Sequence, residues 1–154
     1  KQRSIYQYRF RWDDAVYEPG TLEVFTYKSG KPWAKATCPT TGPVVGIKLQ
    51  ADRQVITADG EDLSFVIASL VDEQGDVVPT ANHQITFEVR GAGKLRATDN
   101  GDPTDLSGLT LPTRKAFHGL ALAIVQSSRL ESGEITLHAK VDRLPTQSIV
   151  IESK

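Results

Sequence analysis

From residue 45 onward, apolar positions recur at every second residue and nowhere at helical spacing. Ile85, Phe87 and Val89 alternate with Thr86, Glu88 and Arg90. Ile135, Leu137, Ala139 and Val141 alternate with Thr136, His138 and Lys140. Successive strand side chains point to opposite faces, so each set lines one face of a strand and builds one sheet's half of a core. Leu120, Leu122 and Ile124 alternate with Ala121, Ala123 and Val125, and the larger set is expected to line the core in the same way. Residues 63–71 are apolar on both faces, which predicts a central strand covered twice. The pattern predicts strands at 45–51, 55–57, 63–72, 84–90, 93–98, 119–126, 134–141 and 147–152. Asp59-Gly60 and Gly75-Asp76 supply turn residues between them. Short strands at this spacing predict an all-β sandwich over residues 43–154. Residues 99–118 break the rhythm as a long, polar, proline-containing excursion, and loops of that length tend to be functional or mobile.

The first 42 residues carry a different signature. Tyr6, Tyr8, Phe10 and Trp12 alternate with Gln7, Arg9 and Arg11, which predicts a strand with one aromatic face. Glu18-Pro19-Gly20 is a turn, residues 22–27 a second strand, Lys28-Ser29-Gly30-Lys31 a hairpin turn, and residues 33–37 a third strand. Three strands fall short of the seven or so of a sandwich. Residues 1–42 are therefore expected either to pack on the following segment or to be the last strands of a second, truncated β-sandwich whose partner strands are missing. Pro39, Gly42 and Pro43 mark an extended linker into the following segment.

Composition narrows the function classes. The chain has 154 residues, 39% apolar and 24% charged, with a net charge of −1. That balance gives no general attraction to nucleic acid or anionic membranes. Arg114, Lys115, Arg129, Lys140 and Arg143 are dispersed among acids, so no nucleic-acid partner is expected. No apolar run approaches the roughly 20 residues of a membrane span. The single cysteine, Cys38, excludes an intrachain disulfide and is silent on compartment. It has no neighbouring base to activate it. His83, His118 and His138 lie too far apart in sequence for ligand spacing, and no Gly-x-Ser-x-Gly elbow occurs.

Two constellations are left as site candidates. Asp99, Asp102 and Asp105 lie in Asp-Asn-Gly-Asp-Pro-Thr-Asp, the densest set of oxygen ligands, and could hold Ca²⁺. The spacing is not that of an EF-hand, and the competing reading is an Asx-turn loop whose carboxylates accept backbone N–H groups. Trp12 and Trp33 could stack on sugar rings, while core placement in the truncated sandwich is the competing reading. Severing that sandwich would expose its aromatic face, so a homodimer through residues 1–42 is an expected partner arrangement.

These motifs resemble a known family. The run of Asp59-Gly60-Glu61-Asp62-Leu63, Val71-Asp72-Glu73-Gln74-Gly75-Asp76-Val77-Val78-Pro79, Asp99-Asn100-Gly101-Asp102-Pro103 and Arg114, Ala116, Phe117, Gly119 resembles the C-terminal immunoglobulin-like domain of bacterial family 2 glycoside hydrolases of the β-galactosidase type. Glu18-Pro19-Gly20, Lys28-Ser29-Gly30 and Thr40-Thr41-Gly42 resemble the end of the small β-sandwich that precedes it there. The resemblance implies a retaining parent enzyme with two glutamates about 5–5.5 Å apart on a (β/α)₈ barrel. This chain has no βα alternation, and its glutamates lie in no matching context. No catalytic residue and no cofactor are therefore carried over. The expected role is a non-catalytic accessory region whose partners are the catalytic and other β-sandwich domains of the parent. The chain begins at Lys1 and has no methionine, which fits a piece of a longer polypeptide. The resemblance further implies a periplasmic or secreted parent. Two alternatives stand beside this: a carbohydrate-binding sandwich module, and an adhesin-type bacterial immunoglobulin-like repeat, where turns like Val71–Val78 also occur.

Overall fold

A computed structural model describes residues 10–129 and 131–154. The chain divides into two compact units, Lys1–Thr40 and Thr41–Lys154.

In the first unit the described residues form one antiparallel hairpin, β1 (Thr21–Lys28) and β2 (Lys31–Pro39). Ser29 and Gly30 both have positive φ, 52° and 76°, the two-residue turn whose twist matches the strands it joins. A bulge falls between Thr26 and Tyr27, and the Thr26 hydroxyl exchanges bonds with the Ala34 backbone. The expected first strand is not matched among the described residues: Phe10, Arg11 and Trp12 are exposed and outside any strand, while Tyr6 and Tyr8 lie outside the described residues. Arg11 pairs with Asp13, one residue beyond Trp12, in a sharply turned segment.

The second unit is a β-sandwich. Its strands are β3 (Gly46–Ala51), β4 (Val55–Ile56), β5 (Leu63–Val71), β6 (Gln84–Gly91), β7 (Gly93–Asp99), β8 (Thr113–Lys115), β9 (Leu120–Ser127), β10 (Gly133–Lys140) and β11 (Gln147–Ser153). One sheet has the order β3-β5-β9-β7, the other β4-β11-β10-β6-β8, and only β4 and β11 pair in parallel. The core lies between the sheets: Val66, Ala68 and Leu70 with Ala123 and Val125 on one side, Ile85, Phe87, Leu137 and Ile151 on the other.

Three expectations change here. On β9 the smaller apolar set faces inward: Ala121, Ala123 and Val125 are buried, while Leu120, Leu122 and Ile124 face outward. Only one face of β5 is covered by the described residues of this unit, because Phe65 and Ile67 stay exposed on the outer face although the strand is central. The excursion at 99–118 contains β8, which pairs with the edge of β6 through Ile85 and Arg114. β8 is three residues long and not apolar, too short to leave a period.

Asp72 follows β5 and starts its turn. Its Oδ1 accepts from the N–H groups of Gln74 (3.1 Å) and Asp76 (2.9 Å), and its Oδ2 from Gly42 (2.9 Å). The Gly42 N–H, then those of Asp76 and Gln74, hold this carboxyl below the usual carboxylate range.

Candidate functional site

The polar excursion folds around one arginine. β8 is an edge strand whose middle side chain points inward, and that residue is Arg114, 2% exposed. A buried guanidinium is tolerated when its donors are met. Nε donates to Thr98 Oγ1 (3.2 Å) and Nη2 to the carbonyls of Thr98 (3.0 Å) and Gly108 (2.9 Å). Nη1 donates to Asp105 Oδ2 (2.9 Å) in an ion pair, and lies 3.5 Å from the Ser107 carbonyl. Thr98 donates its own hydroxyl proton to the Leu111 carbonyl (2.8 Å). The guanidinium thus ties the loop between β7 and β8 to β7.

The aspartates of the loop serve this framework. Asp99 Oδ1 accepts from the N–H groups of Asn100 (2.7 Å) and Gly101 (3.2 Å). Asn100 Oδ1 accepts from the Asp102 N–H, while its Nδ2 donates to Asp105 Oδ2 and to the Lys115 carbonyl, each at 2.9 Å. Asp102 Oδ1 accepts from the N–H and hydroxyl of Thr104 (2.8 and 2.7 Å). Asp105 Oδ1 accepts from the Ser107 N–H (2.9 Å). The Ser107 hydroxyl and N–H, with the Arg114 guanidinium, hold the Asp105 carboxyl far below its ordinary value. The three aspartates named as calcium candidates therefore lie at the end of β7 and on the loop after it, in Asx-type bonding. Among the described residues no three His, Cys, Asp or Glu side chains are grouped to hold a metal ion.

Beside the loop lies an open depression of about 590 Å³, lined by Asn82, Gln84, Asp102, Lys115 and Phe117 among others. A second carboxylate anchor sits where β3 leads towards β5. Asp62 accepts from the Thr57 N–H (2.8 Å), the Arg53 guanidinium (2.9 Å) and the neighbouring Leu63 N–H (2.9 Å). These bonds, Thr57 first, lower its pKa to about 2.

The aromatic candidates belong to the first unit. Trp33 is 71% exposed, with Lys28 Nζ 5.4 Å from its ring centre. Trp12 is 64% exposed, its ring 6.3 Å from that of Phe10, and lines an open depression with Leu22 and Phe25. The two tryptophans and the aspartate loop belong to separate units. In the sequence Arg114, which organises the loop, shows as one dispersed cation and as one residue of the run that resembles the family's C-terminal domain. Its placement on the same excursion as Asp99, Asp102 and Asp105 is a further signal, shared with Lys115.

The comparisons with known proteins agree with this architecture. The model for "Glycoside hydrolase family 2 C-terminal domain 5" matches residues 47–150, and a domain family of unknown function matches residues 1–34. A β-galactosidase of Bacteroides ovatus is 39% identical over 111 residues, which cover 72% of this chain and 13% of that protein. A family 2 glycosyl hydrolase structure from Bacteroides cellulosilyticus superposes with a TM-score of 0.88 at 34% identity, covering 91% of this chain and 18% of that one. The structure of a family 2 β-glucuronidase superposes with a TM-score of 0.82 at 26% identity, covering 94% of this chain and 15% of that one. The chain thus spans less than a fifth of the length of each. On the family model's match over most of its length, this chain belongs to glycoside hydrolase family 2, as a C-terminal region of such enzymes.

Proposed function

We propose that this chain is a non-catalytic accessory region of a β-galactosidase-like glycoside hydrolase, with its role in packing and spacing the domains of that enzyme. One observation carries the reading: the carboxylates best placed for chemistry are engaged in holding backbone. Asp62, Asp72, Asp99, Asp102 and Asp105 each accept from backbone N–H groups, and lowered values at Asp62, Asp72 and Asp105 suit fixed anions rather than a proton donor near neutral pH. A similar region occurs in a β-galactosidase and in a β-glucuronidase, which favours sugar choice residing elsewhere in such polypeptides. An exported parent is part of the same reading and rests on the family resemblance alone.

The test is hydrolysis of an aryl β-galactoside by the native polypeptide, by that polypeptide lacking this region, and by this chain alone. The expected result is turnover by the first, none by the last, and a loss of thermal stability on deletion. Turnover by the isolated chain, or a native polypeptide with no hydrolytic activity, overturns the reading.

The exposure of Trp12 and Trp33 favours a second reading, sugar binding by the first unit. It is checked by tryptophan fluorescence during titration with galactosides and plant-type polysaccharides, and an unchanged spectrum removes it.

A further inference from the structure

The loop between β7 and β8 is inverted relative to an ordinary solvated loop. Asp105 turns onto the Arg114 guanidinium and Asn100 onto Asp105 and the Lys115 carbonyl, while Leu106, Leu109 and Leu111 face solvent, 95%, 56% and 46% exposed. Each leucine adjoins backbone that the framework holds. The Ser107 and Gly108 carbonyls face the Arg114 guanidinium, the Leu109 carbonyl accepts from the Thr98 N–H (2.7 Å), and the Leu111 carbonyl accepts from the Thr98 hydroxyl. A loop fixed before contact loses little conformational entropy when something packs on it, which is how a small apolar surface becomes an effective anchor.

We propose that Leu106, Leu109 and Leu111 form a preorganised knob that docks into an apolar recess on another domain of the same longer polypeptide. This rests on the reading of the chain as a region of a family 2 hydrolase. Two observations select that occupant. Three leucines cannot cover the roughly 800 Å² per partner that separate molecules bury in a stable complex. A tethered domain needs far less, because its effective concentration is set by the connecting chain. And the matched relatives extend more than four-fifths of their length beyond this region, which supplies such domains.

The experiment compares this 154-residue chain with the full-length polypeptide by hydroxyl-radical footprinting, and measures the melting of both with Leu106→Asp. Leu106 is nearly fully exposed, so the substitution is expected to leave the melting of the isolated chain unchanged. In the full-length polypeptide, Leu106 and Leu109 are expected to label several-fold more slowly than in the isolated chain, and Leu106→Asp to lower the melting midpoint. Val150, an exposed residue of β11, serves as the internal reference for labelling. Equal labelling of the leucines in both forms overturns the proposal. So does a dimer of the isolated chain that Leu106→Asp dissociates, which would make the occupant a second copy. Protection in a full-length polypeptide that hydrolyses no glycoside would remove the enzyme reading and leave the docking knob standing.

Discussion

At the scale of single residues, two anchors organise the second unit, and both are ionic. Arg114 is buried with its donors met by Asp105, Thr98 and Gly108. Replacing it by Met removes those bonds together, leaving the Asp105 carboxylate without its ion pair and the Gly108 carbonyl with the Leu111 N–H alone. The expected loss is about 3 kcal/mol in urea denaturation, with faster proteolysis between residues 99 and 112. A loss too small to resolve would mean that the loop is held by its Asx turns alone. Asp62 makes a pH prediction. Its folded pKa of about 2 lies below the unfolded value of about 3.9, so the folded state binds fewer protons between those values. Its contribution is fully present above about pH 4 and is lost as pH falls toward 2. The difference in urea midpoint between the parent chain and Asp62→Asn should therefore be largest at neutral pH and shrink across that window. A difference independent of pH would remove the charge from the explanation.

At the scale of the element, β9 shows how packing resolves what alternation leaves open. Both faces of residues 120–125 are apolar, so the period identifies a strand without saying which set is inside. The structure puts Ala121 and Ala123 inward opposite the other sheet, and the leucines outward. Small residues belong where large side chains of the facing sheet, such as Phe87 and Leu137, already fill the space between layers. Ala123→Leu is accordingly expected to cost about 1–3 kcal/mol by overpacking. Leu122→Thr, on the outer face, should cost less than about 1 kcal/mol. The reverse order of these two losses in denaturant melts would place the leucine face in the core. β8 makes a related point. Its three residues leave no readable period, and only pairing with β6 defines them as a strand.

At the scale of the whole molecule, the core residues all belong to Thr41–Lys154. That unit holds both sheets of the sandwich, whereas the hairpin of the first unit has Leu22, Phe25, Tyr27 and Trp33 exposed. Residues 41–154 expressed alone are expected to melt in one cooperative transition, seen by circular dichroism and fluorescence at the same midpoint. Non-coincident transitions would show that this unit depends on more chain than it contains. Among the described residues the first unit is a two-stranded hairpin, an element that is marginal in water by itself.

By itself the sequence determined the all-β class, most strand positions and the family, because alternation and turn chemistry are local properties that survive without a partner. It also carried the Asx-turn reading of residues 99–105, since an aspartate reaches its own backbone within two or three residues. Tertiary structure alone decided which face of β9 is buried, that the outer face of β5 is left open by the described residues of its own unit, and that Arg114 gathers the loop. Those outcomes depend on groups brought together across the sandwich. Thr98, Asp105 and Arg114 lie on a strand, a loop and another strand, and no spacing along the chain records that one guanidinium joins all three.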